Sequence, residues 1–293
     1  MENNEKKFLK DIKEEIKYMI DGENKSQDEF DLLMRFFANS KRVPYELENS
    51  AFAKDMYQKL GWDLKSYFDV INSFWTTFSW AMHCYKPLTY KQATAGNIKI
   101  YKNYNTEYNI PSFPEKYISG NYKYILSEIK DLLKIFMQIN KFSSLCHCVA
   151  NFMPCPDGYE KGKLSFNQLK KHLLDVQDYL PLMIDKVEKS YIGKEGIIYY
   201  CDGKQEEINC NTVAKWHEWF ADVKNREKYC LQDYYHILSC ENGTKKLVGI
   251  PLFIGQSLEY PVPKEEDEIK ECLEEIIKRI ETRAMRMAKK LEK

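Results

Sequence analysis

Residues 264–290, KEEDEIKECLEEIIKRIETRAMRMAKK, carry the clearest helical pattern in the chain. Their apolar side chains recur every three or four residues and continue to the next turn: Ile269, Leu273, Ile276, Ile280, Ala284, Met287 and Leu291. This period is typical of an amphipathic helix that buries one face. The stretch therefore predicts a long C-terminal helix whose apolar stripe packs on the core.

A second stripe on the same predicted helix is basic and consists of Arg279, Arg283, Arg286 and Lys290. It holds half of the six arginines of the chain. Guanidinium groups in a row suit an anionic ligand or an acidic partner. A second explanation is equally simple, since acids crowd the helix start and bases its end, as the helix dipole favours. The sequence leaves both explanations open.

Periodicity and turn signals predict further elements along the chain. Helices are predicted in the first 20 residues, after Ser26, and at 51–60, 64–85, 122–139, 179–190, 213–223 and 229–237. Extended segments are predicted at 145–154 and 247–254, and a hairpin at 197–208 that turns at Asp202-Gly203. These elements predict an α+β fold that is mainly α-helical, with a small β-sheet in the C-terminal half.

The 293 residues are predicted to form a single domain, 1–293, with three parts. Residues 1–85 form an N-terminal helical part, and residues 121–293 an α+β part. Between them, residues 86–120 hold several prolines and glycines without a sustained period. We expect an irregular excursion there, with a short strand at 98–101.

Composition excludes several classes of function. The chain has 44 basic and 44 acidic residues, which argues against broad electrostatic capture of nucleic acid. The first 20 residues lack the apolar core of a signal peptide, and no stretch is long and apolar enough to span a bilayer. Nine cysteines fit reduced thiols better than a disulfide framework. We expect a soluble, cytoplasmic, bacterial protein, the last because Lys, Ile, Asn and Tyr are enriched.

Motifs for known chemistry are weak. Cys146, His147, Cys148 and Cys155 are of metal-ligating types, but their spacing does not close a tetrahedral zinc site, and buried core cysteines are the simpler interpretation. The sequence therefore predicts no metal site, and no motif identifies a cofactor. Acidic pairs such as Asp185 with Glu188 are general acid or base candidates, although such pairs are most often just a solvated helix face. Trp216 and Trp219 beside His217 fit either ligand stacking or simple burial of two indoles.

Five short landmarks follow one another in the second half: NFMPCP at 151–156, FNQ at 166–168, DYLPLMIDKVEKSY at 178–191, YCLQDYY at 229–235 and IETRAMRM at 280–287. Their order resembles an uncharacterised bacterial protein family of unknown function. Members of that family share a turn before proline, an Ile/Phe-Asn pair, an Asp-containing helix, an LQD element and a closing Arg-x-x-Arg helix. The resemblance covers residues 140–290, and it departs from the family where Ala150-Asn151 replaces a commonly glycine-rich turn. It implies no particular activity.

The landmarks contain polar residues on otherwise apolar segments, where an unpaired buried polar group would be costly. They are Asn151, Asn167, Asp178, Gln232, Asp233, Arg283 and Arg286. One hypothesis is that several of them converge on a cleft between the sheet and the last helix. The competing explanation is a structural network that pins these elements together.

Two functions follow as hypotheses. The first is an interaction or regulatory protein that binds a partner protein or a small anionic ligand, with Asn151, Asn167, Gln232, Arg283 and Arg286 as binding residues. The alternative is a hydrolytic enzyme that acts on a phosphate-bearing substrate or nucleic acid. In that case Asp178 and Asp233 would be acid/base or metal-binding groups, and the two arginines would hold the anion.

Overall fold

The computed structural model describes residues 48, 51–84, 88–93, 97–102, 106–111, 135–146, 148–156, 166, 169, 173, 176, 179–201, 203–241 and 243–291. Helices dominate these residues and the strands form small antiparallel sheets, which confirms the predicted α+β class. The helices are α1 (Ala51–Lys59), α2 (Phe74–Cys84), α3 (Phe136–Leu145), α4 (Leu180–Gly193), α5 (Cys210–Ala221), α6 (Val223–Lys228) and α7 (Glu266–Leu291), with a 3₁₀ helix at Val149–Asn151.

The strands pair locally with one exception. They are β1 (Phe68–Val70), β2 (Leu88–Ala93), β3 (Asn97–Lys102), β4 (Thr106–Pro111), β5 (Phe152–Pro154), β6 (Ile197–Cys201), β7 (Lys204–Ile208), β8 (Tyr235–Ser239) and β9 (Lys245–Gly249). β2, β3 and β4 form a three-stranded sheet, and β6–β7 and β8–β9 are hairpins. The exception is β1, which pairs with β5 across more than 80 residues of chain, Phe68 lying opposite Pro154.

α7 is the element on which the core is assembled. Its first turn carries Glu266, Asp267 and Glu268, which favour the positive end of the helix dipole. Its apolar stripe is buried as predicted from Ile269 to Met287, although Leu291 at its end is exposed, and it packs on α2, α3 and the 3₁₀ helix. The core that it completes is continuous from Ala53 in α1 to Met287.

α4 lies beside β9 and covers the edge of the second hairpin. Carboxylates of α4 accept hydrogen bonds from β9 amides: Asp185 from Gly249 at 2.7 Å, and Glu188 from Leu247 at 2.9 Å. These side chains take the place that a third strand would have in the ladder. The close approach requires glycine at 249, because a Cβ there would overlap the carbonyl group of Pro181.

The sequence located α1, α4, α5, α7 and the β6–β7 hairpin within a few residues. It misplaced others. The helix predicted at 64–85 begins only at Phe74, since residues 68–70 pair with β5. The helix predicted at 229–237 is wrong, because α6 ends at Lys228 and β8 begins at Tyr235. The extended segment predicted at 145–154 holds the end of α3 and the 3₁₀ helix before β5, and the strand predicted at 247–254 runs instead over 245–249.

Residues 88–111 differ from the predicted irregular excursion, because β2, β3 and β4 lie there, and the predicted strand at 98–101 falls within β3. Alternation over only six residues per strand is too short a signal to stand out among the prolines and glycines around it. The predicted helices before residue 48 lie outside the described residues, as does most of the helix predicted at 122–139. The division into one domain of three parts stays a prediction.

Replacing Gly249 by alanine tests the contact between α4 and β9. We expect Gly249→Ala to lower the free energy of unfolding by about 1–3 kcal/mol, since the new methyl group forces the strand away from Pro181. The measurement is urea denaturation followed by circular dichroism. The control is Gly193→Ala, where a Cβ meets only the Glu195 side chain at 3.4 Å or more. Equal stability of the two variants would contradict the close packing.

Candidate functional site

Arg283 lies at the centre of the predicted site and is fully buried. Its guanidinium donates only to backbone carbonyl oxygens among the described residues. Nη1 donates to Ala150 and Phe152, both at 2.7 Å. Nη2 donates to Tyr229 at 2.8 Å, and Nε is shared between Tyr229 at 3.2 Å and Cys230 at 3.1 Å. One side chain of α7 therefore ties together two chain segments that lie about 80 residues apart.

Local backbone geometry builds this carbonyl cage. Cys230 has a φ of 54°, a left-handed conformation that is uncommon outside glycine, and both carbonyls at this turn bond Arg283. The indole of Trp62 lies 5.4 Å from the guanidinium carbon, within range of a cation–π contact. Burial lowers the pKa of Arg283 below its ordinary value, but arginine remains charged at neutral pH. The carbonyl dipoles therefore stabilise a buried cation.

Arg279 lies one turn before Arg283 and is also buried, with 1% of its surface exposed. It donates from Nη1 to Ile250 O at 2.9 Å and from Nη2 to Pro251 O at 2.7 Å, while Nε bonds the Glu275 carboxylate at 3.0 Å. Arg279 thus holds the chain that leaves β9 against α7. Neither of these arginines presents a free guanidinium face to solvent.

Arg286 differs from the two buried arginines. It makes a bidentate pair with Asp233, from Nη1 to Oδ2 and from Nη2 to Oδ1, the latter at 2.9 Å. The pair is partly accessible, with 35% of the Arg286 side chain and 24% of the Asp233 side chain exposed. The carboxylate of Asp233, a candidate catalytic group, is therefore neutralised by its neighbour.

Asn151 uses all of its side-chain hydrogen-bonding capacity inside the fold. Its Oδ1 accepts from the backbone and side-chain amides of Asn72 at 3.2 and 3.1 Å. Its Nδ2 donates to the carbonyls of Asn72 at 2.9 Å and Cys146 at 2.7 Å. Asn151 accordingly fastens α3 and the start of β5 to the turn that follows β1.

Gln232 contributes its backbone carbonyl, which accepts from Arg226 Nη2 at 3.2 Å. Its side-chain oxygen is buried and has no hydrogen-bond partner among the described residues, and the same holds for Nε of Arg226. The candidates Asn167 and Asp178 lie outside the described residues. The structure thus places five of the candidates around one end of the core: Asn151, Gln232, Asp233, Arg283 and Arg286. Their contacts are those of the structural network, and a ligand-binding role for them stays a prediction.

A second buried polar cluster connects α4, α5 and β9, and only half of it could be predicted from the sequence. Oε2 of Glu188 accepts the Leu247 amide and lies 3.0 Å from Nε2 of His217, while Tyr191 stacks on the imidazole at 3.7 Å between ring centroids. The i, i+3 pairing of Asp185 with Glu188 was visible in the sequence. Its partner His217 was not, because it lies 29 residues further along the chain.

The cysteines and Trp216, which the sequence also offers as candidates, are buried in the core. Cys146, Cys148 and Cys155 are buried at helix and strand ends and form no disulfide within the described residues, and burial raises the pKa of Cys148 to about 12. The described residues contain no group of three His, Cys, Asp or Glu side chains placed to hold a metal ion. Trp216 is buried against Phe166, which matches the indole-burial explanation.

The accessible end of the basic stripe lies beside α6. Nζ of Lys290 donates to the carbonyl oxygens of Glu227 at 2.6 Å and Lys228 at 3.0 Å, which brings the last turns of α7 and α6 together. We define the α6–α7 basic patch by the cations of α6 and of the C-terminal end of α7: Lys224, Arg226, Lys228, Arg286, Lys289 and Lys290. Lys224, Lys289 and Lys290 are exposed.

A comparison of the chain with protein-family models, with curated proteins and with solved structures gave no match. The resemblance of the landmarks to a bacterial family therefore stays a prediction. Within the part of the chain that the structure describes, no helix has the length and apolarity needed to cross a membrane.

Arg283→Lys is expected to lower the free energy of unfolding by about 3–5 kcal/mol, since an ammonium group cannot reach carbonyls of both segments and buried acceptors are left unpaired. Urea denaturation measures the loss. The matched control is Arg286→Lys, whose partly exposed pair is worth about 1 kcal/mol or less. If both substitutions cost the same, the cage is not the stronger constraint.

Asp185→Asn tests the carboxylate that bonds the β9 edge. Burial raises the pKa of Asp185, as does the nearby Glu188, against the lowering effect of the Gly249 amide. A raised pKa in the folded protein means that the stability contributed by Asp185 is present below its ordinary pKa and is lost as pH rises through the folded value. The uncharged asparagine avoids this loss.

The variant should therefore gain stability relative to wild type as pH rises above 3.8, the ordinary pKa of the aspartate carboxyl. The measurement is the difference in free energy of unfolding between the two proteins, from urea titrations at each pH. A difference that is flat with pH, or that falls as pH rises, would contradict the assignment.

Proposed function

We propose that this protein is an interaction protein that binds an acidic segment of a partner through the α6–α7 basic patch. The observation that carries the proposal is the pair of hydrogen bonds from Lys290 to the end of α6, which brings the basic end of α7 against the turn that holds Arg226 and Lys228. Arg279 and Arg283 take no part, because they are buried and their donors are bonded to backbone carbonyls and, for Nε of Arg279, to Glu275.

Local charge supports this choice. We count charges over α6 with its N-cap, the last two turns of α7 and the partner of Arg286. This set holds the six cations of the patch and three acids, Asp222, Glu227 and Asp233, so it has an excess of three positive charges in a chain of zero net charge. Two of the three acids are engaged, since Asp222 caps α6 through the Lys224 amide and Asp233 pairs with Arg286. Such an excess attracts an anionic segment and speeds its association.

The form of the patch favours an extended acidic segment over a single small anion. Its exposed cations are lysines on flexible stems at two helix ends, and a lysine ammonium acts as a point charge without the fork geometry of arginine. Several carboxylates along one peptide can meet such dispersed charges together. Binding of this kind depends on ionic strength, because exposed charges are screened by salt.

Fluorescence anisotropy with a labelled polyglutamate peptide tests the proposal. We expect binding by the full chain at about 50 mM NaCl that is lost by about 300 mM. The double variant Lys224→Glu, Lys289→Glu should weaken peptide binding by about tenfold or more. Both lysines are exposed, and the two substitutions reverse the charge of the patch.

The control is Lys189→Glu, Lys204→Glu, which makes the same change in net charge at exposed positions of α4 and β7. It should bind the peptide within about twofold of wild type at equal salt. Equal loss in both double variants, or no binding by wild type, would contradict the proposed function.

A further inference from the structure

The β6–β7 hairpin has two unlike edges. β6 reads IIYYC and has no charged side chain, and its β-branched and aromatic residues have high strand propensity. β7 reads KQEEI and carries Lys204, Glu206 and Glu207. In the part of the chain that the structure describes, each strand pairs only with the other. The uncharged edge of β6 is therefore open to another strand.

Hairpin register shows which backbone groups face that open edge. Cys201 lies opposite Lys204 across a two-residue loop, and this closing pair exchanges both of its backbone hydrogen bonds. Alternation along the ladder then directs the amides and carbonyls of Ile198 and Tyr200 away from β7. The position of the Ile208 carbonyl agrees with this alternation. It lies close to Gly196, as expected if it accepts a hydrogen bond from the amide of the next residue, Ile197.

The side chains of the same two residues are also accessible. Ile198 is 53% exposed and Tyr200 is 64% exposed, whereas Ile197 and Tyr199 on the opposite face are buried. The hydroxyl of Tyr200 bonds Gln205 at 3.2 Å, which keeps the ring over the hairpin. β6 thus presents unpaired backbone groups and an exposed apolar face together.

We propose that β6 pairs antiparallel with β6 of a second copy of this chain, about a two-fold axis at Tyr199. The product is a four-stranded sheet in the order β7, β6, β6, β7. This inference concerns a different surface from the α6–α7 basic patch and does not depend on the proposed function.

Self-pairing in this register is complementary. It sets Ile198 of one copy opposite Tyr200 of the other, twice over, and β-branched residues paired with aromatic ones are favourable cross-strand neighbours. The outward groups of these residues meet in about four inter-chain hydrogen bonds. A two-fold axis needs only one self-complementary patch, and no like charges face each other across it.

β7 explains why the pairing is specific and closed. If two β7 strands paired about a two-fold axis at Glu206, that acid would face its own copy, which is unfavourable. In the proposed dimer both β7 strands lie at the outer edges, where their charged side chains discourage further strand addition. A second copy therefore docks on β6, and the sheet stops at two chains.

Light scattering coupled to size-exclusion chromatography tests the proposal on the full chain at about 50 µM. The expected mass is twice the 34.9 kDa of one chain. Tyr200→Pro should give the monomer, since it removes an outward donor without breaking the bonds to β7. Gln205→Pro, the equivalent change on the outer edge of β7, should remain dimeric. A monomeric wild type, or the same mass for both proline variants, would overturn the proposal.

A charge pair tests the register. The double variant Ile198→Lys, Tyr200→Lys places like charges opposite each other across the axis and should be monomeric. The double variant Ile198→Lys, Tyr200→Glu places opposite charges there and should restore the dimer. Both keep a lysine opposite Glu207 within the hairpin, so their thermal stabilities should match. Equal masses for the two variants would show that β6 does not pair in this way.

Discussion

The buried guanidinium of Arg283 is the constraint on which the arrangement of the core depends. A cation in the protein interior is tolerated only when dipoles replace its hydration, and here carbonyls from residues 150–152 and 229–230 supply them together. Displacing either segment leaves the cation unsatisfied. The two segments are far apart along the chain, yet moving either of them costs free energy for the same reason. This shared cost couples the packing of α7 to that of β5 and of the turn after α6.

The same coupling divides the arginine row into two kinds of residue. Arg279 and Arg283 are buried and bond backbone carbonyls of the surrounding chain, while Arg286 and Lys290 lie at the accessible end of α7. The zero net charge of the chain thus includes two kinds of positive charge. The buried guanidinium groups hold the structure together, and the end of α7 is basic and exposed. The two surfaces that we propose for binding, the α6–α7 basic patch and β6, do not involve the buried arginines.

Local signals in the sequence were sufficient for α4, α5, α7 and the β6–β7 hairpin, because periodicity and a two-residue turn are properties of contiguous residues. The strand at 68–70 was missed because its partner lies more than 80 residues away, and its apolar residues continue the helical pattern of α2. The burial of Arg283 could not be predicted from the sequence either. Its acceptors are backbone carbonyls, which every residue has, so no residue type marks them. The polar landmarks could be selected from sequence, but their role as mutual anchors required the three-dimensional pairing of Asn151 with Asn72.

Exposed strand edges are treated in three ways in this fold. β9 is covered by α4, whose Asp185 and Glu188 are partly or fully buried to bond its amides, although burial raises the pKa of Asp185 and so makes its charged form costly. β7 is left in solvent but carries charges. Within the part of the chain that the structure describes, β6 has neither protection, although it is the most strand-prone and least charged of the three. Because the chain accepts buried carboxylates to cover one edge and charges to guard another, the bare edge of β6 fits a surface that is covered by something other than the residues of the same copy.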